Sequence, residues 1–349
     1  ANSPPGLITR RHRGYVLTGV ACIRRVYLLE DWIIRDLCGA FVSEKTLQSS
    51  SVYFDIRSCH WWDEMLDFIG VSADMLPRVV PCGTCVGDYR GIKVVTGALD
   101  QIAGSIGAGV SRPGQVSEMT GTIMAVCAPC DFIPGYDPAS IIPCHLHALD
   151  GMYCRLLWSS AAGVALKWFR DVLLPGHSFR ELDGLAGAVA PGSDGLTFLP
   201  HLCGSAMPVY NPDARGGFYG LTLAHGAGHF VRSILESVAF MLKSDLDYIG
   251  LEPGDGREIR ITGGGAQGEL WPQIKADVTG FCLGVPCESE TACLGAAMLA
   301  GVGAGVYASL DDAVGHAVGV GRRIVPGGDD YTAAYGAYCA LDTLLNVRK

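Results

Sequence analysis

At 349 residues the chain is long enough for two domains of ~100–200 residues each. Hydrophobic residues make up 49% and charged ones 17%, which excludes a disordered chain, and 47 glycines without a G-X-Y period exclude collagen. The formal net charge of −9 repels phosphate backbones and argues against a general nucleic-acid binder.

The chain begins ANSPPGLITRRHRG, polar and basic without the apolar stretch of a signal peptide, and its first dozen residues carry no helical or strand pattern. Residues 27–37 repeat apolar side chains at helical spacing, and Gly39 is the expected stop. Residues 52–56 read as a strand, and 63–69 as a helix opened by acidic residues and closed by Gly70. Residues 75–80 lead through Pro81 into a turn. A β-branched strand at 92–96 runs into Gly97-Ala98-Leu99-Asp100. Pro113-Gly114 then turns the chain into two strands over 115–126, folded around Thr120-Gly121-Thr122. Residues 128–143 read as a Pro-rich loop, 158–173 as a helix with Trp168 and Phe169 in the core, and 198–215 as mostly loop. A long helix over 228–249 carries Glu236. A strand at 259–262 meets Gly263-Gly264-Gly265-Ala266, followed by helices over 270–278, 292–299 and 331–347. Strand, glycine turn and helix alternate, which predicts an α/β architecture.

Fourteen cysteines would suit a secreted disulfide scaffold, but such scaffolds are short, so the expectation is a reducing cytoplasm and free, buried thiols. Cys82-x-x-Cys85 and Cys127-x-x-Cys130 offer four zinc ligands, yet the 41 residues between the pairs are unlike a compact ribbon. No metal site and no structural disulfide are expected, and Cys144, His145 and His147 read as loop residues. Mean hydropathy is +0.28. The uncharged run 291–310 is long enough to span a bilayer, but Gly and Ala build it, so a close-packed soluble helix followed by a turn is expected.

Three segments can carry chemistry. GGGAQG at 263–268 fits G-x-G-x-x-G after a strand, with Glu288 and Glu290 roughly twenty residues on. Taken literally it marks an NAD-dependent oxidoreductase. The same glycines would admit any phosphate or flat base, or simply pack a turn on a sheet. Asp100 is a lone carboxylate at a strand-to-helix junction, where partial desolvation would make it a general base and its own preferences would make it an N-cap. Thr120-Gly121-Thr122 can close around a terminal phosphate or be an ordinary hairpin.

Residues 216–236, GGFYGLTLAHGAGHFVRSILE, resemble the C-terminal signature of the FGGY family of carbohydrate kinases through Gly217, Phe218, Gly220, Leu221, His229, Phe230, Ser233 and Glu236. Gly97-Ala98-Leu99-Asp100-Gln101 resembles the family's segment for the catalytic base, Thr120-Gly121-Thr122 its second phosphate motif, and ITGGGA at 261–266 its adenosine motif. The resemblance runs from about Val26 to the C-terminus and is nearest to xylulokinase-like members. Two departures stand out. No D-x-G-T/S hairpin precedes Val26, so an N-terminally truncated chain is expected. The family's S-G-E-R before a proline is here Cys203-Gly204-Ser205-Ala206.

The resemblance implies an actin-like ATPase fold of two ribonuclease-H-like α/β domains with the first incomplete: 1–107 as the sugar-binding remnant and 108–349 as the nucleotide-binding domain. It implies ATP and Mg²⁺ as cofactors and transfer of phosphate to a sugar or polyol hydroxyl. Asp100 would be the catalytic base and, with Gln101, bind substrate. Thr122, Gly163, Gly264, Gly265, Ala266 and Glu269 would bind ATP. The expected partner is a small-molecule sugar, with no nucleic acid or membrane, and a homodimer is the expected assembly. The alternative is a non-catalytic remnant that only binds nucleotide or a partner, and the missing hairpin leads one to expect poor turnover.

Overall fold

The computed structural model describes residues 11–12, 15–16, 23–135, 142–254 and 257–346. A short hairpin, β1 (Arg11–His12) and β2 (Tyr15–Val16), falls where the first dozen residues promised none. It is followed by α1 (Leu29–Cys38), β3 (Val42–Glu44), α2 (Lys45–Gln48), β4 (Phe54–Asp55), β5 (His60–Trp61), α3 (Asp63–Ile69), β6 (Arg78–Val80), β7 (Cys85–Tyr89) and β8 (Ile92–Val95). The chain continues through α4 (Asp100–Gly107), β9 (Val116–Thr120), β10 (Met124–Cys130), β11 (Cys144–Leu146), β12 (Tyr153–Ser159), α5 (Gly163–Leu173) and α6 (Phe179–Gly187). It ends with β13 (Thr197–Leu199), β14 (Gly217–Tyr219), α7 (Ala227–Tyr248), β15 (Glu258–Thr262), α8 (Leu270–Thr279), β16 (Cys282–Pro286), α9 (Thr291–Ala304), α10 (Leu310–Ala317), β17 (Val320–Ile324) and α11 (Thr332–Asn346).

Seven strands form one sheet in the order β11-β12-β10-β9-β15-β16-β17. β9 to β12 pair antiparallel, β15 and β16 join β9 in parallel, and β17 closes the edge antiparallel. Helices cover both faces, and the central strand β10 is buried along its whole length. One face carries the larger core, where Ile234, Leu235 and Val238 of α7 meet Val126, Leu157, Ile261 and Leu283. On the other face Ile102 and Ile106 of α4 pack with Cys127, Leu156, Met298 and Leu299. α4 and α9 approach closely because both are thin. A Cβ on Gly107 would overlap the Thr291 carbonyl, and one on Gly295 the Ala103 carbonyl. The uncharged run is therefore a helix–helix contact, and among the described residues no helix is long and apolar enough to cross a membrane.

The helix over 63–69 and its stop at Gly70 (φ 70°) match the pattern, as do the Gly39 stop (φ 80°) and the long helix α7. The expected helix over 158–173 is two elements. Residues 153–159 are a strand buried on both faces, so it lacks the alternation that would mark it. The helix begins only at Gly163, and it buries Phe169 but leaves Trp168 38% exposed. The Pro-rich loop starts after Cys130, because β10 runs through Pro129; residues 136–141 of that loop, residues 1–10, and Val347 of the last helix lie outside the described residues.

Candidate active site

The turn between β9 and β10 is built from Thr120, Gly121, Thr122 and Ile123, closed by Gly121 N–H donating to the Ile123 carbonyl at 2.9 Å. It is fixed from two sides. The first N–H groups of α5 are spent on it: Gly163 N–H donates to Gly121 O at 3.0 Å, and Val164 N–H to Thr122 O at 3.1 Å. A Cβ at Gly163 would overlap the Gly121 carbonyl, so this glycine is required by the protein's own backbone. From behind, Lys275 of α8 donates to both Glu118 oxygens at 3.0 and 2.9 Å and to Thr120 Oγ1 at 2.9 Å, with Thr120 also bonded to Glu118. Lys275 and Glu118 are both completely buried, and no sequence pattern announced the pair.

The glycine turn after β15 lies against the same strand. A Cβ on Gly263 would sit 2.6 Å from Thr120 O, and one on Gly265 2.6 Å from Thr120 Cβ and 3.2 Å from Lys275 Nζ, whereas one on Gly264 would make only ordinary contact, 3.9 Å from Thr120 O. Between this turn, the β9–β10 turn and the helices α5 and α6 lies a cavity of about 920 Å³. Thr122, Gly163, Gly264, Gly265 and Glu269 all line it. Ala266 does not: it is buried under the turn, its carbonyl accepting from Arg322 at 2.7 Å. Val164, Leu166, Phe179, Leu270 and Trp271 give the cavity an apolar wall, and the basic residues Lys167 and Arg180 also line it, the Lys167 ammonium donating to Asp171 at 2.6 Å. Phe179, Arg180 and Asp183 belong to α6, a helix absent from the sequence reading, although its Ser178–Glu181 capping box (Glu181 N–H to Ser178 Oγ, 3.3 Å) was there to be read. Burial raises the Asp183 carboxyl above the usual range. The cavity fits a nucleotide in volume and in its pairing of an apolar wall with cations and open glycines. Glu288 and Glu290, the acidic partners of the dinucleotide pattern, do not line it.

A second cavity, of about 410 Å³, opens on the other side of the same turn. Ile123, Ala125, Trp158 and His145 line it together with Leu99 and Gln101, the two neighbours of Asp100. Asp100 itself lines neither cavity. It is the first residue of α4, exposed, with Oδ1 accepting the Gln101 N–H at 2.9 Å. The helix cap is Leu99, so neither the N-cap nor the partly desolvated carboxylate describes Asp100 here. The turn before it is anchored by Leu99 N–H donating to Thr46 Oγ1 at 2.8 Å, and Thr46 in turn donates to the buried Glu44 at 2.8 Å. Glu44 also accepts the Thr46 and Leu47 N–H groups at 2.6 Å and the Cys82 thiol at 3.0 Å; burial raises its pKa. Cys82 is thus engaged with a carboxylate, and among the described residues no three His, Cys, Asp or Glu converge on a point that could hold a metal.

The signature at 216–236 does structural work. Phe218 meets Phe198, Phe230 and Phe169 with ring centroids 4.5, 4.9 and 6.0 Å apart. Glu236 accepts Gly192 N–H at 2.9 Å, Ser193 Oγ–H at 2.8 Å and Arg232 Nε–H at 2.8 Å. His229 accepts Gly226 N–H at Nδ1 and sits 3.1 Å from Asp194 through Nε2. These bonds hold a tight turn in which Ser193 and Asp194 both take positive φ, near 50°. None of the eight signature residues lines the nucleotide-sized cavity.

Two cavities meet at one turn on an α/β scaffold, and comparison with known proteins gives the scaffold its family. The model of the FGGY family of carbohydrate kinases, N-terminal domain, matches residues 18–109, and that of the C-terminal domain matches residues 157–304. Gluconokinase of Bacillus subtilis (strain 168) is 30% identical over 325 residues, covering 85% of this chain and 62% of that protein. Glycerol kinase of Pseudomonas entomophila (strain L48) is 28% identical, covering 88% and 61%. The crystal structure of xylulose kinase from Rhodospirillum rubrum superposes with a TM-score of 0.82 at 27% identity, covering 93% of this chain and 68% of that one. The chain belongs to the FGGY family of carbohydrate kinases and has the family's actin-like ATPase fold. It spans about three fifths of the length of the curated relatives it matches. The oxidoreductase reading of GGGAQG is thereby set aside.

Proposed function

We propose that the protein acts as an ATP-dependent kinase of a sugar or polyol hydroxyl. The observation that carries this reading is the β9–β10 turn contributing to both cavities, one suited to a nucleotide and the other lined by Leu99 and Gln101, the two neighbours of Asp100. A nucleotide in the larger cavity would lay its base on the apolar wall and direct its terminal phosphate to Gly121 and Thr122. The acceptor would lie in the smaller cavity, one hydroxyl toward Asp100 and a neighbouring one toward Gln101. Asp100 would take the hydroxyl proton as that oxygen bonds to the γ-phosphorus. The bond from phosphorus to the β–γ bridging oxygen breaks, and ADP leaves with the electron pair. Holding both partners at one turn supplies the orientation on which such transfers depend. Gly264, Gly265 and Glu269 would border the adenosine, with Ala266 supporting that turn from beneath, and Gly163 would hold the phosphate turn in place. Mg²⁺ would arrive on the nucleotide's phosphates, since the described residues form no cluster to hold it.

The division into 1–107 and 108–349, a cytoplasmic setting and a homodimer belong to the same proposal. The test is ADP release with ATP and Mg²⁺ against gluconate, glycerol, xylulose and related acceptors. Acceptor-stimulated turnover is expected, in place of the poor turnover that the missing hairpin alone suggests, because both cavities are formed, and Asp100→Asn should lower kcat by several orders of magnitude while leaving nucleotide affinity nearly unchanged. Turnover in Asp100→Asn close to that of the parent would remove Asp100 from the reaction. Nucleotide binding with no acceptor-stimulated ADP would leave a binding remnant instead.

A further inference from the structure

On the other side of the large core, the end of β12, the loop 200–211, α7 and α11 enclose a third cavity, of about 230 Å³. Asp245 of α7 lines it and is only 2% exposed, and its Oδ2 has no hydrogen-bond partner. Among the described residues no lysine or arginine lines the cavity. Its other ionisable neighbours are His201 and Asp342, whose Nε2 and Oδ1 are 2.8 Å apart, with Tyr338 and Cys339 of α11. A buried carboxyl without a partner is costly, and desolvation alone drives the Asp245 pKa far upward.

The sequence supplies the reason for the vacancy. Ala206, a small side chain, lines this cavity, and the run Cys203-Gly204-Ser205-Ala206 brings no charged group to it. Ala206 thus shares the cavity with Asp245, and its methyl group fills little of the space. Ser159, Ser244 and Tyr338 add hydroxyls to the wall, and Met241 and Pro208 add apolar surface suited to a short alkyl stem. We propose that this cavity is a binding site for a small organic cation, an alkylguanidinium or alkylammonium, whose head pairs with Asp245.

The full chain is titrated with methylguanidinium and with ethylammonium at millimolar concentrations, against sodium chloride at matched ionic strength, by calorimetry and by thermal unfolding. Saturable binding with a rise in Tm is expected for at least one of the two cations. Asp245→Asn should weaken that binding at least tenfold. Ala206→Arg should abolish it while raising Tm without any ligand, because its own side chain fills the space. Absence of saturable binding to the parent chain, or undiminished binding in a folded Ala206→Arg variant, would overturn the site. These readouts do not involve phosphate transfer, so they stand apart from the kinase proposal.

Discussion

The turn at 120–123 and the turn at 97–100 flank the same candidate site, and each is held from behind by a buried carboxylate, neutralised in opposite ways. Behind the first, Glu118 meets the ammonium of Lys275, both at 0% exposure, and Thr120 completes the triangle. Behind the second, Glu44 has only N–H, hydroxyl and thiol donors, which come from Thr46, Leu47 and Cys82. An ion pair of this kind is rigid but fragile, because losing one member strands the other charge in an apolar core. A carboxyl held by neutral donors tolerates protonation, and its burial pulls it toward that state. The turn at 120–123 is therefore built on an ion pair, and the turn carrying Asp100 on a group that can give its charge up.

The sharpest break in this comparison is Lys275→Met. It strands Glu118 and should cost about 3–5 kcal/mol in urea unfolding, with much of that recovered in the Lys275→Met/Glu118→Leu double variant. A loss below about 1 kcal/mol would mean that the pair is not the anchor of the turn. Next in size is Thr46→Val, which takes the acceptor from the half-buried Leu99 N–H and a donor from Glu44, for an expected loss of about 1–3 kcal/mol. If Asp100 acts as proposed, the same variant should lower kcat more than it raises the KM for nucleotide.

Smallest is Glu44→Gln, which keeps the shape and removes the titration. A carboxyl with a raised folded pKa gives its full contribution below the unfolded value, near 4.5, and loses it as pH climbs through the folded value. The deficit of Glu44→Gln relative to the parent should therefore be larger at pH 4.5 than at pH 7.5. At the higher pH it should fall within about 1 kcal/mol. A deficit that grows with pH would show that Glu44 works as a charge and would erase the contrast with Glu118.

Much of the scaffold was legible because it is locally encoded. Gly39 and Gly70 end helices through positive φ, α7 shows its period over 22 residues, and the turns at 120–122 and 263–266 carry their own chemistry. Five of the six residues expected at the nucleotide do line one cavity, because they sit at strand ends that the sheet gathers together. The exceptions are informative. Ala266 is adjacent in sequence to lining residues but points beneath the turn, which motif spacing does not encode. Lys275 and Glu118 are 157 residues apart, and a lysine on a helix looks like a solvated charge until the sheet places a carboxylate beneath it. β12 was hidden because a strand covered on both faces carries no alternation.

The glycine-lined seam between α4 and α9 has a genetic consequence. Gly295 touches neither cavity and lies far along the chain from the candidate base, yet it permits α4 to lie where it does, and Asp100 is the first residue of α4. Any side chain at position 295 must displace that helix or its partner, and the carboxylate would move with it. If Asp100 acts as proposed, a chance substitution there would present itself in a screen as a lost catalyst, on a helix where no one looking for chemistry would search.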